Sequence, residues 1–166
     1  MPSQSEHDIE QLNRLIEATI DNAKGYHDAK AAAASSQVST LFRERAAKRR
    51  EVVLRLQTEV RRLGGRAVED GTVIAAAQRW FTHVKNSIAG SDAAIIAKVQ
   101  SGEDQVEGAY AAALQDGLIS VDVRTLITSA YGTIKADHDQ VRDMSQDPQA
   151  EELGKKAIGR TVGDAV

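Results

Sequence analysis

The sequence predicts an all-helical protein in which four long helices pack side by side as a bundle. Apolar residues recur at steps of three and four in four separate stretches, which is the spacing of one face of a helix. Proline occurs only as Pro2 and Pro148, so none of these stretches is interrupted. Hydrophobic residues make up 42% of the chain but aromatic residues only 4%. This largely aliphatic content favours closely packed helices over sheets.

The first two helices are predicted at residues 5–34 and 37–63. Ser5 is a suitable N-cap for the first helix, and its apolar stripe ends beyond His27. Ser35 and Ser36 interrupt the pattern between the two helices. The second helix should end at Gly64, because glycine readily adopts the left-handed conformation that closes a helix. The short connection makes these helices antiparallel neighbours.

The second pair of helices is predicted at residues 92–115 and 121–144, again with a short connection. Residues 64–91 join the two pairs, and within them a shorter helix is predicted at 73–89. A crossover of this length can run along the bundle and make the second and third helices parallel, which is the ferritin-like connectivity. The bundle is then expected to cover residues 5–145, and residues 146–166 to form a flexible tail.

The composition excludes several kinds of chemistry. The chain has no cysteine, so disulfides, thiolate catalysis and cysteine-ligated metals are excluded. No apolar run approaches the roughly 20 residues that a membrane span requires. The polar N-terminus lacks the apolar segment of a secretion signal, and we therefore expect a cytoplasmic protein. Phosphate-binding glycine loops and the G-x-S-x-G nucleophile motif do not occur in the sequence.

Polar residues on the apolar stripes are the candidates for a functional site. Counting about 1.5 Å per residue from the helix ends places Arg49 opposite Glu103 in mid-bundle, with His27, His138 and Tyr26 close by. A buried carboxylate needs a partner, so the first interpretation is an Arg49–Glu103 ion pair that fixes the helix register. The alternative is a mononuclear metal site with Glu103, His138 and His27 or Glu107 as ligands.

The sequence lacks the pattern of a dinuclear metal site. Such a site takes one Glu from each of two helices and a Glu-x-x-His motif from each of the other two. Here the corresponding segments are Lys24-x-x-His27 and Lys135-x-x-His138, with lysine in place of the carboxylate. A guanidinium at Arg49 would also repel a dication. We therefore expect no oxygen-activating enzyme and no cofactor, with iron or another divalent metal as the alternative.

The second helix is basic although the chain has a net charge of −3. Its cations are expected either to pair with acidic neighbours or to contact an anionic partner such as nucleic acid, polyphosphate or another subunit. Aromatic residues that could stack on bases are not interleaved among them, which disfavours nucleic acid. The candidate residues for this face are Arg43, Lys48, Arg50, Arg55 and Arg62.

Scattered segments of the sequence resemble a bacterial family of small ferritin-like four-helix-bundle proteins that carries a domain of unknown function. The similarity extends over residues 9–144, and it implies the ferritin-like fold without implying an activity. The segments are 12–26 (LNRLIEATIDNAKGY), 41–56, Leu63-Gly64-Gly65, Trp80 to Lys85, 101–110 and 134–139.

Two functions of different classes follow from these observations. The favoured one is a non-enzymatic helical bundle that acts through its surface or as an oligomer such as a dimer, for example in a stress response. The alternative is a ferritin-like metal-binding protein with a reduced, non-standard site in the core. Metal content separates the two.

Overall fold

The structure is a computed structural model that describes residues 1–71 and 92–146. These residues form four α-helices and contain no strand, which confirms the all-helical prediction. The helix predicted at 73–89 and the tail from residue 147 onward lie outside the described residues. The four helices are α1 (Gln4–Ala32), α2 (Ser36–Arg62), α3 (Asp92–Gln115) and α4 (Val121–Gln146).

Helix α1 begins earlier than predicted, because Ser3 rather than Ser5 is its N-cap. The Ser3 hydroxyl accepts a hydrogen bond from the Glu6 backbone N–H at 3.2 Å, and the Glu6 carboxylate accepts one from the Ser3 N–H at 2.6 Å. This reciprocal capping box requires Glu three residues after the cap, a spacing that Ser5 does not offer. The helix ends at Ala32, two residues before the predicted end.

Helix α2 ends at its glycines as predicted. Gly64 has a φ of +81°, which an L residue with a side chain rarely adopts. The Gly64 N–H donates to Arg61 O at 3.0 Å, and the Gly65 N–H donates to Val60 O at 2.9 Å. This pair of bonds is a Schellman motif, and it satisfies carbonyls that would otherwise lack donors at the helix end.

Contacts at the two ends of the bundle define its connectivity. At one end, the carboxylate of Asp92 in α3 accepts from the N–H groups of Ala34 and Ser35, at 2.7 and 3.1 Å. At the other end, His7 in α1 contacts Asp116 at 2.8 Å, just after α3. Helices α2 and α3 therefore both start where α1 finishes, so they are parallel. The predicted ferritin-like connectivity, two antiparallel hairpins joined by a crossover, is confirmed.

The described start of the crossover lies over the groove between α1 and α2. The Asn13 side chain of α1 donates to Arg66 O at 3.0 Å and accepts from Val68 N–H at 2.9 Å. Gln57 of α2 donates to Val68 O at 2.8 Å. Further along, Gly71 packs against Asp21 of α1. Residues 66–71 thus run along α1, from a position beside Asn13 to one beside Asp21.

The apolar core is divided into two clusters. The lower cluster lies towards the start of α1 and includes Leu12, Leu56, Tyr110 and Ile127 among its fully buried residues. The upper cluster lies towards the end of α1 and is centred on four residues from the four helices, Tyr26, Phe42, Ile95 and Val141. Charged and polar side chains lie between the two clusters.

Candidate functional site

The centre of the bundle is organised around one arginine, Arg49 of α2, which is 0% exposed. Its Nε donates to Asn22 Oδ1 of α1 at 2.6 Å. Its Nη1 donates to Asp137 Oδ2 of α4 at 2.7 Å, and its Nη2 donates to both oxygens of Glu103 of α3 at 3.0 and 3.1 Å. A single planar guanidinium therefore links all four helices. Arginine has five N–H donors spread over three nitrogens in a rigid fork, whereas lysine has three donors on one nitrogen.

A second buried arginine, Arg45, lies one turn from Arg49. Arg45 is 5% exposed, and it bonds Asp137 Oδ1 and Gln140 on α4. Lys48 reaches the same Asp137 oxygen from the surface, at 3.7 Å. The Asp137 carboxylate thus contacts three cationic side chains, those of Arg45, Lys48 and Arg49. We call Asn22, Arg45, Arg49, Glu103 and Asp137 the charged layer, in which two buried cations face two buried carboxylates.

Tyr26 borders the charged layer without being bonded into it. The Arg49 guanidinium lies 5.8 Å from the centre of the Tyr26 ring, which is a cation–π contact. The Tyr26 hydroxyl is buried and has no hydrogen-bond partner among the described residues. Burial, and then the negative charge of Glu103, raise the pKa of Tyr26 far above its ordinary value. The phenol therefore stays neutral.

The four predicted metal ligands do not converge in the structure. Glu103 is engaged by Arg49, and Glu107 accepts from the Tyr131 hydroxyl at 2.6 Å. His27 is exposed, so its expected position on the core face of α1 is wrong. Tyr26 takes the inward position instead, and successive helical residues point about 100° apart.

His138 is held by two carboxylates on opposite sides of its ring. Its Nε2 is 2.7 Å from Asp104, and its Nδ1 is 3.2 Å from Asp139. Burial disfavours the charged ring, but the hydrogen bonds to Asp104 and then Asp139 outweigh it and raise the pKa of His138. The two ring nitrogens face away from each other, so these carboxylates cannot join His138 around one ion.

The donor set does not fit the metal that a ferritin-like fold suggests. Within residues 1–71 and 92–146, no three His, Asp or Glu side chains form a group that could hold a metal ion. The oxygens that converge in mid-bundle surround a guanidinium instead, and a dication beside Arg49 would be repelled. The central site can therefore bind the four helices together.

The predicted cationic face of α2 divides into two edges. Arg43, Lys48, Arg50, Arg55 and Arg62 are all exposed. Three of them have partners: Lys48 contacts Asp137, Arg55 donates to Ser129 at 3.0 Å, and Arg62 donates to Glu59 at 2.6 and 2.8 Å. The side chains of Arg43 and Arg50 form no hydrogen bond or ion pair with any described residue. They lie on the opposite edge from the α4 contacts.

The four helices and their connectivity define a ferritin-like protein. Over residues 7–116 the sequence matches the family described as "Domain of unknown function (DUF2383)", and the chain belongs to that family. No curated protein matches it. In the described residues, no helix has the length and apolar character that crossing a membrane would require.

Similar solved structures include a two-domain protein from Anabaena variabilis that contains DJ-1/ThiJ/PfpI-like and ferritin-like domains. The similarity has a TM-score of 0.62 at 14% sequence identity. It covers 99% of this chain but only 42% of that protein. At this level of identity the similarity concerns the fold alone.

Proposed function

We propose that this protein is a non-enzymatic ferritin-like bundle that acts as an interaction module, by docking one edge of α2 against an acidic protein surface. The observation that carries the proposal is that the side chains of Arg43 and Arg50 are exposed and form no ion pair or hydrogen bond within residues 1–71 and 92–146. A surface arginine commonly pairs with a nearby carboxylate, as Arg62 does here with Glu59. Two arginines without such a partner are available to a carboxylate on another molecule.

The residues around Arg43 and Arg50 favour a protein partner over a polyphosphate or nucleic acid. Leu54 is 60% exposed and lies on the same edge of α2, between Arg50 and the exposed Arg61. The spacings of seven, four and seven residues keep all four side chains on one face of the helix. Arginine with an apolar side chain is typical of protein interfaces. Phe42, the only aromatic residue of α2, is fully buried and cannot stack on bases.

A second copy of the chain offers the required acidic surface. Arg45 and Arg49 of α2 are buried against the carboxylates of Asp137 and Glu103, and these four charges cancel. Without them, α2 carries six Lys or Arg and three Glu, a net charge of +3, whereas the whole chain has −3. The remainder of the chain therefore carries −6. An edge that is positive on an otherwise acidic molecule attracts other copies at low ionic strength.

Sedimentation velocity on the full chain tests the proposal, with an Arg43→Glu/Arg50→Glu variant. We expect wild type to self-associate at low salt and to dissociate in about 0.5 M NaCl, where screening is strong. The charge-reversed variant should stay monomeric at low salt. A matched control is Arg14→Glu/Arg62→Glu, which changes the net charge equally at two exposed arginines that already pair with a glutamate on their own helix.

Two results together would contradict the proposal. One is a wild type that remains monomeric at low salt. The other is equal retention of wild type and the Arg43→Glu/Arg50→Glu variant on immobilised poly-glutamate, which presents carboxylates on a polypeptide. Retention of wild type alone would support an acidic protein partner other than a second copy.

A further inference from the structure

The oxygen atoms around Arg49 have the composition of a cation site. An amide oxygen from α1, both carboxylate oxygens from α3 and one carboxylate oxygen from α4 approach the same group, at 2.6 to 3.1 Å. Carboxylate and amide oxygens are the ligands that hard divalent cations take in proteins. In helix bundles, metals are bound in the core by side chains that project inward from facing helices. Here the positive charge at that position belongs to the chain itself.

Every carboxylate oxygen of Glu103 and Asp137 already contacts a cationic side chain, so none is free for a metal beside the arginine. Arg49 and Glu103 are both 0% exposed, and both oxygens of Glu103 are used by Arg49 Nη2. Asp137 uses Oδ2 for Arg49 and Oδ1 for Arg45 and Lys48. The bond to Asp137 at 2.7 Å has the length of a charge-assisted hydrogen bond. Together the contacts satisfy three donor nitrogens of the guanidinium.

We infer that Arg49 is a built-in cation that fills a divalent-metal site formed by Asn22, Glu103 and Asp137. In this protein the guanidinium takes the place of the ion, and the side chains that would hold the ion hold the arginine. Removal of the guanidinium leaves Asn22 Oδ1, both Glu103 oxygens and Asp137 Oδ2 without their donor. Asp137 Oδ1 keeps its contacts with Arg45 and Lys48. The vacated position is therefore an oxygen-lined site that is dominated by the charge of Glu103.

The test is a gain of metal binding in an Arg49→His variant. Histidine is smaller than arginine, can ligate a metal when neutral, and can pair with Glu103 when protonated, which helps the variant to fold. We expect the full-length variant to bind one Mn²⁺ per chain, measured by loss of the free-ion electron paramagnetic resonance signal. Its Tm should rise by about 5–10 °C when MnCl₂ is present at roughly 100 times its Kd. Wild type should show neither effect.

Two controls separate this site from adventitious binding. Arg49→His/Glu103→Gln keeps the shape of the site but removes its main charge, so binding of Mn²⁺ should be lost. Arg45→His changes the other buried arginine of the same helix, which contacts a single carboxylate, Asp137, in the part of the chain that the structure describes, and no Mn²⁺ site should appear.

Several results would overturn the inference. One is an Arg49→His variant that folds and shows no response to Mn²⁺. Another is wild type that binds Mn²⁺ stoichiometrically and loses it in Glu103→Gln, because the arginine would then not exclude the metal. If Arg49→His does not fold, Arg49→Ala is refolded with MnCl₂ or with guanidinium chloride far below denaturing concentrations. Recovery of helical circular dichroism with either cation supports the inference, and recovery with neither overturns it.

Discussion

The charged layer and the lower cluster hold the same four helices together by different means. In the lower cluster, Leu12, Leu56 and Ile127 are 0% exposed, and each such side chain contributes about 1.5–3 kcal/mol by leaving water. In the charged layer, the attraction between Arg49 and its carboxylates is largely offset by the cost of removing the charges from water. The hydrophobic effect is non-directional, whereas hydrogen bonds require specific distances and angles. Most of the stability is therefore assigned to the lower cluster, whereas the charged layer chiefly fixes the positions of the helices relative to one another.

The largest effect is expected from breaking the charged layer on one side. Arg49→Met leaves Glu103 buried without a cation and should lower the free energy of unfolding by about 3–5 kcal/mol, measured by urea denaturation. The double variant Arg49→Met/Glu103→Leu removes both charges and should recover most of that loss. If the double variant were as unstable as the single one, the charged layer would itself be a main source of stability. That result would contradict the assignment of most of the stability to the lower cluster.

The next largest effect is expected in the lower cluster. Leu56→Ala removes a fully buried side chain and leaves a cavity, so the free energy of unfolding should fall by about 3 kcal/mol. Leu54→Ala is the matched control, because Leu54 lies on the same helix and is 60% exposed. Its cost should stay below about 0.5 kcal/mol. Equal costs for the two variants would show that the lower cluster does not hold α2.

A smaller effect distinguishes the two buried tyrosines. The Tyr26 hydroxyl has no partner among the described residues, so Tyr26→Phe should leave stability unchanged or raise it by up to about 1 kcal/mol. The Tyr110 hydroxyl in the lower cluster bonds Thr19 at 2.8 Å, and Tyr110→Phe should cost about 1 kcal/mol. Thermal unfolding of both variants measures the difference, and a larger loss in Tyr26→Phe would reverse the assignment of the two hydroxyls.

The smallest effect is a pH dependence from His138, at the edge of the charged layer. The pKa of His138 is raised in the folded state, so the charged ring stabilises the fold below the unfolded pKa of about 6.5. That contribution is lost as the pH rises through the folded pKa. Among the described residues, Asp104, Gln100 and Asp139 contact the ring, and the charge of Glu107 also raises its pKa. Urea midpoints between pH 6 and 8 should fall more in wild type than in His138→Gln, and parallel curves would contradict this.

Periodicity and counting from the helix ends predicted much of this molecule. The apolar stripes predicted the bounds of α3, Asp92–Gln115, without error. The stripes also predicted the four helices, and the loop lengths predicted their connectivity. The same counting placed Arg49 opposite Glu103. These features depend on translation along a helix, which is set at about 1.5 Å per residue.

Rotation about the helix axis was predicted less well. Sequence reasoning put His27 on the core face, where Tyr26 lies, and it did not include Asn22 or Asp137 in the central site. An error of one residue turns a side chain by about 100°, and polar residues beside a stripe give no apolar signal to correct it. The need for a second carboxylate such as Asp137 could have been predicted from the number of buried cations. Arg45 and Arg49 lie on one stripe, and two buried cations require more than one carboxylate.

The hydrogen bonds from Arg49 to three other helices also have a consequence for the order of folding. The three partners of Arg49 are separated from it by 27, 54 and 88 residues along the chain. The contacts with Glu103 and Asp137 cannot form until the two hairpins have docked, and closing long loops early is entropically unfavourable. The charged layer is therefore expected to assemble after the folding transition state. Substitutions at Arg49 should then act chiefly by increasing the unfolding rate. The contacts of Arg49 would thus form last during folding and set the lifetime of the folded state.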